Sequence, residues 1–200
     1  MEHLQSSIGG RVMADDDLAA IVGSRLCHDL VSPLGAIGNG VELLSMIQGA
    51  SDELTLVEDA VRVAQARVKL FRLAFGRAHE MQDIRASEVI EALTSLSSGG
   101  RLSVNTAAIT QPLPRICAKR LTLAALCLEN ALAYGGEITV TPDRVTGNSP
   151  RLKIDPDLWE PLVAGQSPAE MRSDTVQFAL LASTGPVTIE DGAEGLTIRV

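Results

Sequence analysis

The tightest constraint on the fold is a pair of consecutive apolar repeats at helical spacing. From Leu54 the chain places Val57, Val61, Ala64, Val68, Phe71 and Phe75 at strictly alternating intervals of three and four residues, the period of a helix that buries one seam. Immediately before it, Leu26, Leu30, Leu34, Ile37, Val41 and Leu44 recur in the same manner. Between them, Gly49-Ala50-Ser51 has the composition of a short connection. Asp15-Asp16-Asp17 suits a helix start, because carboxylates complement the amide end of the helix dipole and one of them can cap it. The sequence therefore predicts a first helix over residues 15–48 and a second through Phe75, folded back as an antiparallel hairpin. A second stripe on the later helix, at Leu56, Ala60, Val63 and Leu70, widens its apolar face beyond what one neighbour covers. Two hairpins related by a two-fold axis would cover it as a four-helix bundle, which predicts a homodimer.

The first of these helices carries a histidine. At about 100° per residue, His28 lies two positions from both Leu26 and Leu30, which turns it away from the apolar stripe and toward solvent. Arg25, Ser32, Gly35 and Asn39 share its face. All are polar or small, so a partner protein can approach the imidazole closely there. Gly35, Gly38 and Gly40 each cost the helix about 1 kcal/mol relative to alanine. The spacing assigns Gly38 and Gly40 to close packing between the hairpin helices and Gly35 to the histidine side. Pro33 lacks an amide hydrogen and crowds the carbonyl of Asp29, which predicts a kink or a loosened turn beside the histidine.

His28-Asp29-Leu30-Val31-Ser32-Pro33-Leu34 resembles the phosphoacceptor box of sensor histidine kinases. The longer string through Gly38-Asn39-Gly40 and Glu42-Leu43-Leu44 is similar, more narrowly, to the ChpT-type histidine phosphotransferases. A short motif in its required helical setting outweighs the ordinary reading of a lone surface histidine.

Composition narrows the alternatives. The chain has 200 residues, 46% hydrophobic and 21% charged, with a net charge of −8 and only 2% aromatics, which fits one or two globular domains and disfavours nucleic-acid partners and anionic membranes. Residues 1–14 read as a flexible lead-in with no apolar run of signal-peptide length, and no uninterrupted apolar stretch is long enough to cross a bilayer. These features predict a cytoplasmic protein. Cys27, Cys117 and Cys127 are odd in number and unpaired in spacing, which argues for inert thiols and against a disulfide or zinc site.

The pattern changes after residue 79, and a boundary is expected near residues 78–83, giving a hairpin domain over 15–79 and a second domain over 83–200. In the second domain, helices are expected at 86–96, 118–134, 157–163 and 169–183. Strands are expected at 102–106, 137–141, 152–154, 187–190 and 196–200, with 142–150 a polar loop and 191–195 a hairpin turn. That order suits an α+β class, the hairpin followed by an α/β sandwich. It resembles the ATP-binding domain of histidine kinases in outline. Leu128-Glu129-Asn130-Ala131-Leu132-Ala133-Tyr134 looks like the asparagine box of that domain, but Asp155-Pro156-Asp157 stands where an Asp-x-Gly-x-Gly segment belongs, and the second glycine motif has no counterpart. Without those glycines, side chains fill the space phosphates would take, so Asn130 is expected to cap or brace the sheet instead of holding magnesium.

The resemblance implies a degenerate domain that needs neither ATP, another cofactor nor a metal. It further implies that His28 accepts a phosphoryl group from an aspartyl phosphate on a receiver domain and passes it to a second receiver. Asp29 would fix the imidazole tautomer. By the same resemblance the partners are the receiver domain of a hybrid histidine kinase and response regulators of the CtrA kind. Ser32 stands where kinases with phosphatase activity place Thr or Asn. Two other classes compete: an ATP-dependent histidine kinase with a divergent nucleotide site, and a non-catalytic dimeric adaptor.

Overall fold

A computed structural model of the chain describes residues 15–49, 51–78, 82–192 and 195–200; the lead-in, the residues after Ala78 and the tip of the last hairpin lie outside them. Helix α1 (Asp15–Gln48) and helix α2 (Asp52–Phe75) form the hairpin. Gly49, at φ +82°, closes α1 in the left-handed conformation that glycine adopts most readily, and its amide bonds the Ser45 carbonyl at 3.0 Å. Ser51 caps α2 by accepting from the Leu54 amide at 3.2 Å, with Asp52 and Glu53 completing an acidic first turn. Pro33 lies inside α1, which continues through it as one helix.

The hairpin seam takes in only part of the predicted α1 stripe, Leu34 and Val41, and is shifted to one side of it. Cys27 and Val41 of α1 are buried with Leu34 and Gly38 beside them, facing Val61, Gln65 and Val68. Leu26 and Ile37 remain 59% and 50% exposed, and Leu30 and Leu44 are open as well. The physical reason is width: α1 is apolar over two adjacent flanks, and one neighbouring helix covers one of them. For the same reason residues Ile21–Ile47 reach a mean hydropathy of 1.4, long and apolar enough by length and composition to cross a membrane. Arg25, Asp29 and Glu42 interrupt the apolar run, as the sequence shows, without lowering the average far.

Gly38 does sit against α2, where a Cβ would come within 3.2 Å of Gln65 Nε2 and 3.4 Å of Val61 Cγ1. Gly40 does not; nothing lies within 4 Å of its Cβ position, because it falls on the uncovered flank. Gly23 provides a second close approach, 3.2 Å from Phe75 Cβ.

The rest of the chain is a sheet covered on one face by helices. Strand β1 (Asp83–Ile84) pairs antiparallel with β3 (Leu113–Pro114), flanking α3 (Ala86–Thr94), a 3-10 turn (Ser95–Ser97) and β2 (Leu102–Asn105). After α4 (Arg115–Ala131) come β4 (Gly136–Thr141), β5 (Arg144–Asn148), α5 (Pro156–Val163), α6 (Val176–Ser183), β6 (Thr188–Gly192) and β7 (Gly195–Arg199). The larger sheet has the order β2-β4-β5-β7-β6, with β2 parallel to β4 and the remaining pairs antiparallel. Ile138, Val140, Val145, Leu196 and Ile198 point into the core under Leu121, Leu128 and Phe178, while Thr139, Thr141, Thr146 and Glu190 alternate onto the outer face. Gly147 belongs to the inner row, where a Cβ would meet Leu132 Cδ1 at 2.7 Å.

Several elements differ from expectation, among them the short strands β1 and β3, which lie outside the expected strands. The segment expected as a loop contains β5, joined to β4 by a two-residue turn at Pro142 and Asp143, and residues 152–154 form no strand. Only Val145 and Gly147 of β5 face inward, so the strand carries almost no apolar signal. Residues 152–154 run extended with the Lys153 amide on the Ala131 carbonyl at 2.8 Å. Helix α6 begins at Val176, later than predicted, after an irregular stretch that includes Asp174 and Thr175.

The last turns of α2 join this second core. Leu70, Leu73 and Ala74 are fully buried with α3 and α4. Two cations on α4 close the end of α2: Arg115 donates to the Leu73 and Arg72 carbonyls at 2.8 and 2.7 Å, and Lys119 donates to the Gly76 carbonyl at 3.0 Å. Positive charge at a helix C-terminus satisfies orphan carbonyls and opposes the dipole. Burial lowers the Arg115 pKa to about 10, which leaves it charged at neutral pH. Ion pairs Arg67–Glu129 at 2.8 Å, Lys69–Glu91 at 2.5 Å and Arg72–Glu88 flank the same junction.

Candidate functional site

His28 stands on α1 with its side chain 81% exposed. Its Nδ1 lies 3.2 Å from Asp29 Oδ1, and the other carboxylate oxygen, Oδ2, accepts from Arg25 Nε at 2.8 Å. The hydrogen bond with His28, followed by the Arg25 charge, holds the Asp29 carboxyl below the ordinary aspartate range. Asp29 is therefore an acceptor at neutral pH, and the contact is a hydrogen bond when Nδ1 carries the proton. In that tautomer Nε2 presents its lone pair outward.

Around it, Arg25, Ser32 and Asn39 are exposed and Gly35 is half-buried with nothing within 4 Å of its Cβ position. By helical geometry these residues and His28 fall within an arc of about 80°. The α2 seam begins to one side of this arc, at Ser24 and Gly38, and the uncovered apolar flank lies opposite. The face is thus free of both helix contacts.

The other expected sites have local structural roles. Asp155 caps α5, its Oδ1 accepting from the Asp157 amide at 3.2 Å, with Pro156 in the first turn; the segment that replaces the kinase glycines is a helix start. Gly195, at φ +112°, starts β7, and a Cβ there would sit 2.4 Å from the Gly147 carbonyl oxygen. Asn130 is half-buried on the last turn of α4, and among the described residues nothing hydrogen-bonds its amide. The expected bracing of the sheet is absent because the strands below present Ile138, Val140 and Val145 to α4, none of which can pair with an amide.

Sequence reasoning passed over the junction cations Arg115 and Lys119. Their signal was two cations four residues apart, which share one face of a helix whose middle is apolar.

The family model described as histidine phosphotransferase C-terminal domain matches residues 86–185, half of the chain, from α3 through α6. The protein phosphotransferase ChpT of Brucella abortus (strain 2308) is 47% identical over 62 residues, 31% of this chain and 30% of that protein. The matched stretch thus spans about a third of the length of the curated relative. Among solved structures, a bacterial phosphotransferase superposes with a TM-score of 0.58 at 27% identity, covering 94% of this chain and 97% of that one. A histidine kinase domain from the Erythrobacter litoralis EL346 blue-light activated histidine kinase is also similar, at 16% identity and a TM-score of 0.43, covering 90% and 91% of the two chains. With half of its length matched by the family model and almost all of it by the solved phosphotransferase, this chain belongs to the histidine phosphotransferase family and is of the ChpT type.

Proposed function

We propose that the protein carries a phosphoryl group on His28 between receiver-domain aspartates, without using ATP. The observation that supports this reading is the exposed imidazole of His28, with the Asp29 carboxylate within hydrogen-bond distance of its Nδ1, on a face that no other described residue covers. The Nε2 lone pair attacks phosphorus of an aspartyl phosphate, the phosphorus–oxygen bond to the donor carboxyl breaks, and a carboxylate leaves. The ring, keeping the Nδ1 proton, becomes cationic, and ionised Asp29 stabilises that charge. The second receiver's aspartate then attacks phosphorus and releases neutral imidazole, so no proton is gained or lost over the cycle. In-line approach is the main requirement, and the small side chains about His28 permit it.

The donor is a hybrid kinase's receiver domain and the acceptors are response regulators of the CtrA kind, by the resemblance of the histidine box. The working unit is a homodimer in the cytoplasm. Leu26, Leu30, Ile37 and Leu44 form an uncovered flank opposite His28, and covering each in a four-helix bundle stabilises by roughly 1 kcal/mol or more. Mixing the protein with a receiver labelled on its aspartate, with and without magnesium-ATP, tests the reading. Label moves to the protein without ATP, and ATP alone labels nothing; self-labelling from ATP would establish the kinase instead.

A further inference from the structure

The larger sheet ends in an open edge. Strand β6 pairs with β7 along one side, and on the other side its backbone bonds nothing among the described residues. Such a row of unpaired amides and carbonyls is a template for one more strand. Beside this edge, on the helix-covered side of the sheet, Ile154, Trp159, Val163, Ile189 and Leu196 line a groove of about 460 Å³. Trp159 and Leu196 are its buried members, whereas Ile154 and Val163 are exposed. The groove therefore offers apolar surface to solvent alongside backbone that lacks partners.

The charged side chains of the groove are both acids, Glu160 and Asp191. Neither makes an ion pair among the described residues. Glu190, by contrast, turns to the outer face and is held by Arg199. In the register of β6 with β7, Ile189 lies opposite Ile198 and Asp191 opposite Leu196, so Ile189 and Asp191 stand in one row on the groove side. These charges disfavour a second copy on the edge. Two-fold pairing about the middle of β6 would set the Glu190 side chains of the two copies against each other and place each Asp191 over an Ile189.

We infer that the β6 edge and its groove bind an extended peptide segment of a partner protein, which adds to the sheet as a sixth strand. The segment carries an apolar side chain opposite Ile189, directed into the groove, and a lysine or arginine two residues away, opposite Asp191. Main-chain hydrogen bonds to β6 hold it, and these two alternate side chains select it. The proposed phosphoryl transfer uses none of these residues, so this is a second binding site on the second domain.

The probe is a fluorescent peptide, Thr-Lys-Thr-Val-Thr-Lys-Thr, which presents the same pattern in either strand direction. Its anisotropy is followed against the full chain for the wild type, Asp191→Lys and Glu137→Lys, beside a version with glutamates for lysines and one N-methylated along its backbone. Asp191 is exposed and unpaired, so its variant keeps the fold; Glu137→Lys makes the same charge change on the outer face of β4. The wild type binds the lysine peptide saturably and the glutamate peptide about fivefold more weakly. Asp191→Lys reverses that preference, and Glu137→Lys stays within about twofold of wild type. The N-methylated peptide, unable to pair with the edge, does not bind. Absence of saturable binding to the wild type overturns the proposal, as does an unchanged preference in Asp191→Lys. Equal binding of the N-methylated peptide would give the groove to a free apolar ligand, and a loss of oligomer in Asp191→Lys by sedimentation would give the edge to a second copy; either result overturns it too.

Discussion

His28 Nδ1 lies 3.2 Å from Asp29 Oδ1, a contact that in the proposed relay leaves Nε2 as the free ring nitrogen. Asp29→Asn keeps an oxygen acceptor and removes the charge that balances the phosphorylated ring. Phosphoryl acceptance should slow by about tenfold, the low end of what orienting a histidine is worth, with unchanged receiver affinity. Stopped-flow transfer kinetics give the two quantities separately, and equal rates would remove Asp29 from the mechanism.

The same contact makes a prediction about pH. Because hydrogen bonding to His28 lowers the Asp29 pKa in the folded chain, the stabilising contribution of the contact is complete above the ordinary aspartate range and is lost as pH falls through the lowered value. Carboxyl titration followed by NMR should show Asp29 with a midpoint below 3.8, the ordinary value for aspartate. His28→Ala should bring it back up. An unmoved midpoint in that variant would assign the shift to Arg25.

Gly35 and Gly38 separate docking from packing on one helix. The Cβ position of Gly35 is open, whereas that of Gly38 touches Gln65 and Val61. Gly35→Leu should leave thermal stability equal or higher and slow transfer by obstructing the receiver. Gly38→Leu should overpack the seam, costing about 1–3 kcal/mol, a fall of roughly 2–10 °C in Tm for a chain of this size. Wild-type transfer in a folded Gly35→Leu protein would contradict the docking face.

Arg115→Met keeps the bulk of a long side chain and removes the donors to the Leu73 and Arg72 carbonyls. A loss of roughly 2–4 kcal/mol is expected from one buried and one part-buried carbonyl left without a charged donor, the Arg72 carbonyl keeping only the Gly76 amide. Hydrogen exchange should speed first in the last turns of α2. Protection there equal to wild type would show that Lys119 and the flanking ion pairs suffice.

How much of this was legible depended on whether a residue's role repeats along the chain. The ends of α1 were readable because Asp15-Asp16-Asp17 and Gly49 mark helix termini chemically, and the direction of His28 followed from its spacing to Leu26 and Leu30. The identity of the buried seam was not, because both flanks of α1 are apolar and spacing cannot say which one α2 occupies. Strand β5 escaped because Gly147 fills an inward position that elsewhere carries Val or Ile. The junction cations act through tertiary contacts between α4 and α2, forty-odd residues apart in sequence, and periodicity within one helix does not register such contacts.

Association is tested through the uncovered flank. Ile37→Glu places a charge at a half-exposed position away from the α2 seam, so the single chain should fold as before. Sedimentation should show a dimer for the wild type and a monomer for the variant. A dimer that survives Ile37→Glu and Leu44→Glu together would relocate the interface.

Acceptance by His28→Ala is the measurement nearest the central claim. The variant is mixed with an aspartate-labelled receiver, and the acid-labile, base-stable phosphate on the protein is counted beside a thermal melt. The account predicts no such phosphate and a melt within about 2 °C of wild type, as expected for removal of an exposed side chain. Acid-labile phosphate retained on the variant would contradict it, and so would a collapse in stability that made His28 a structural residue.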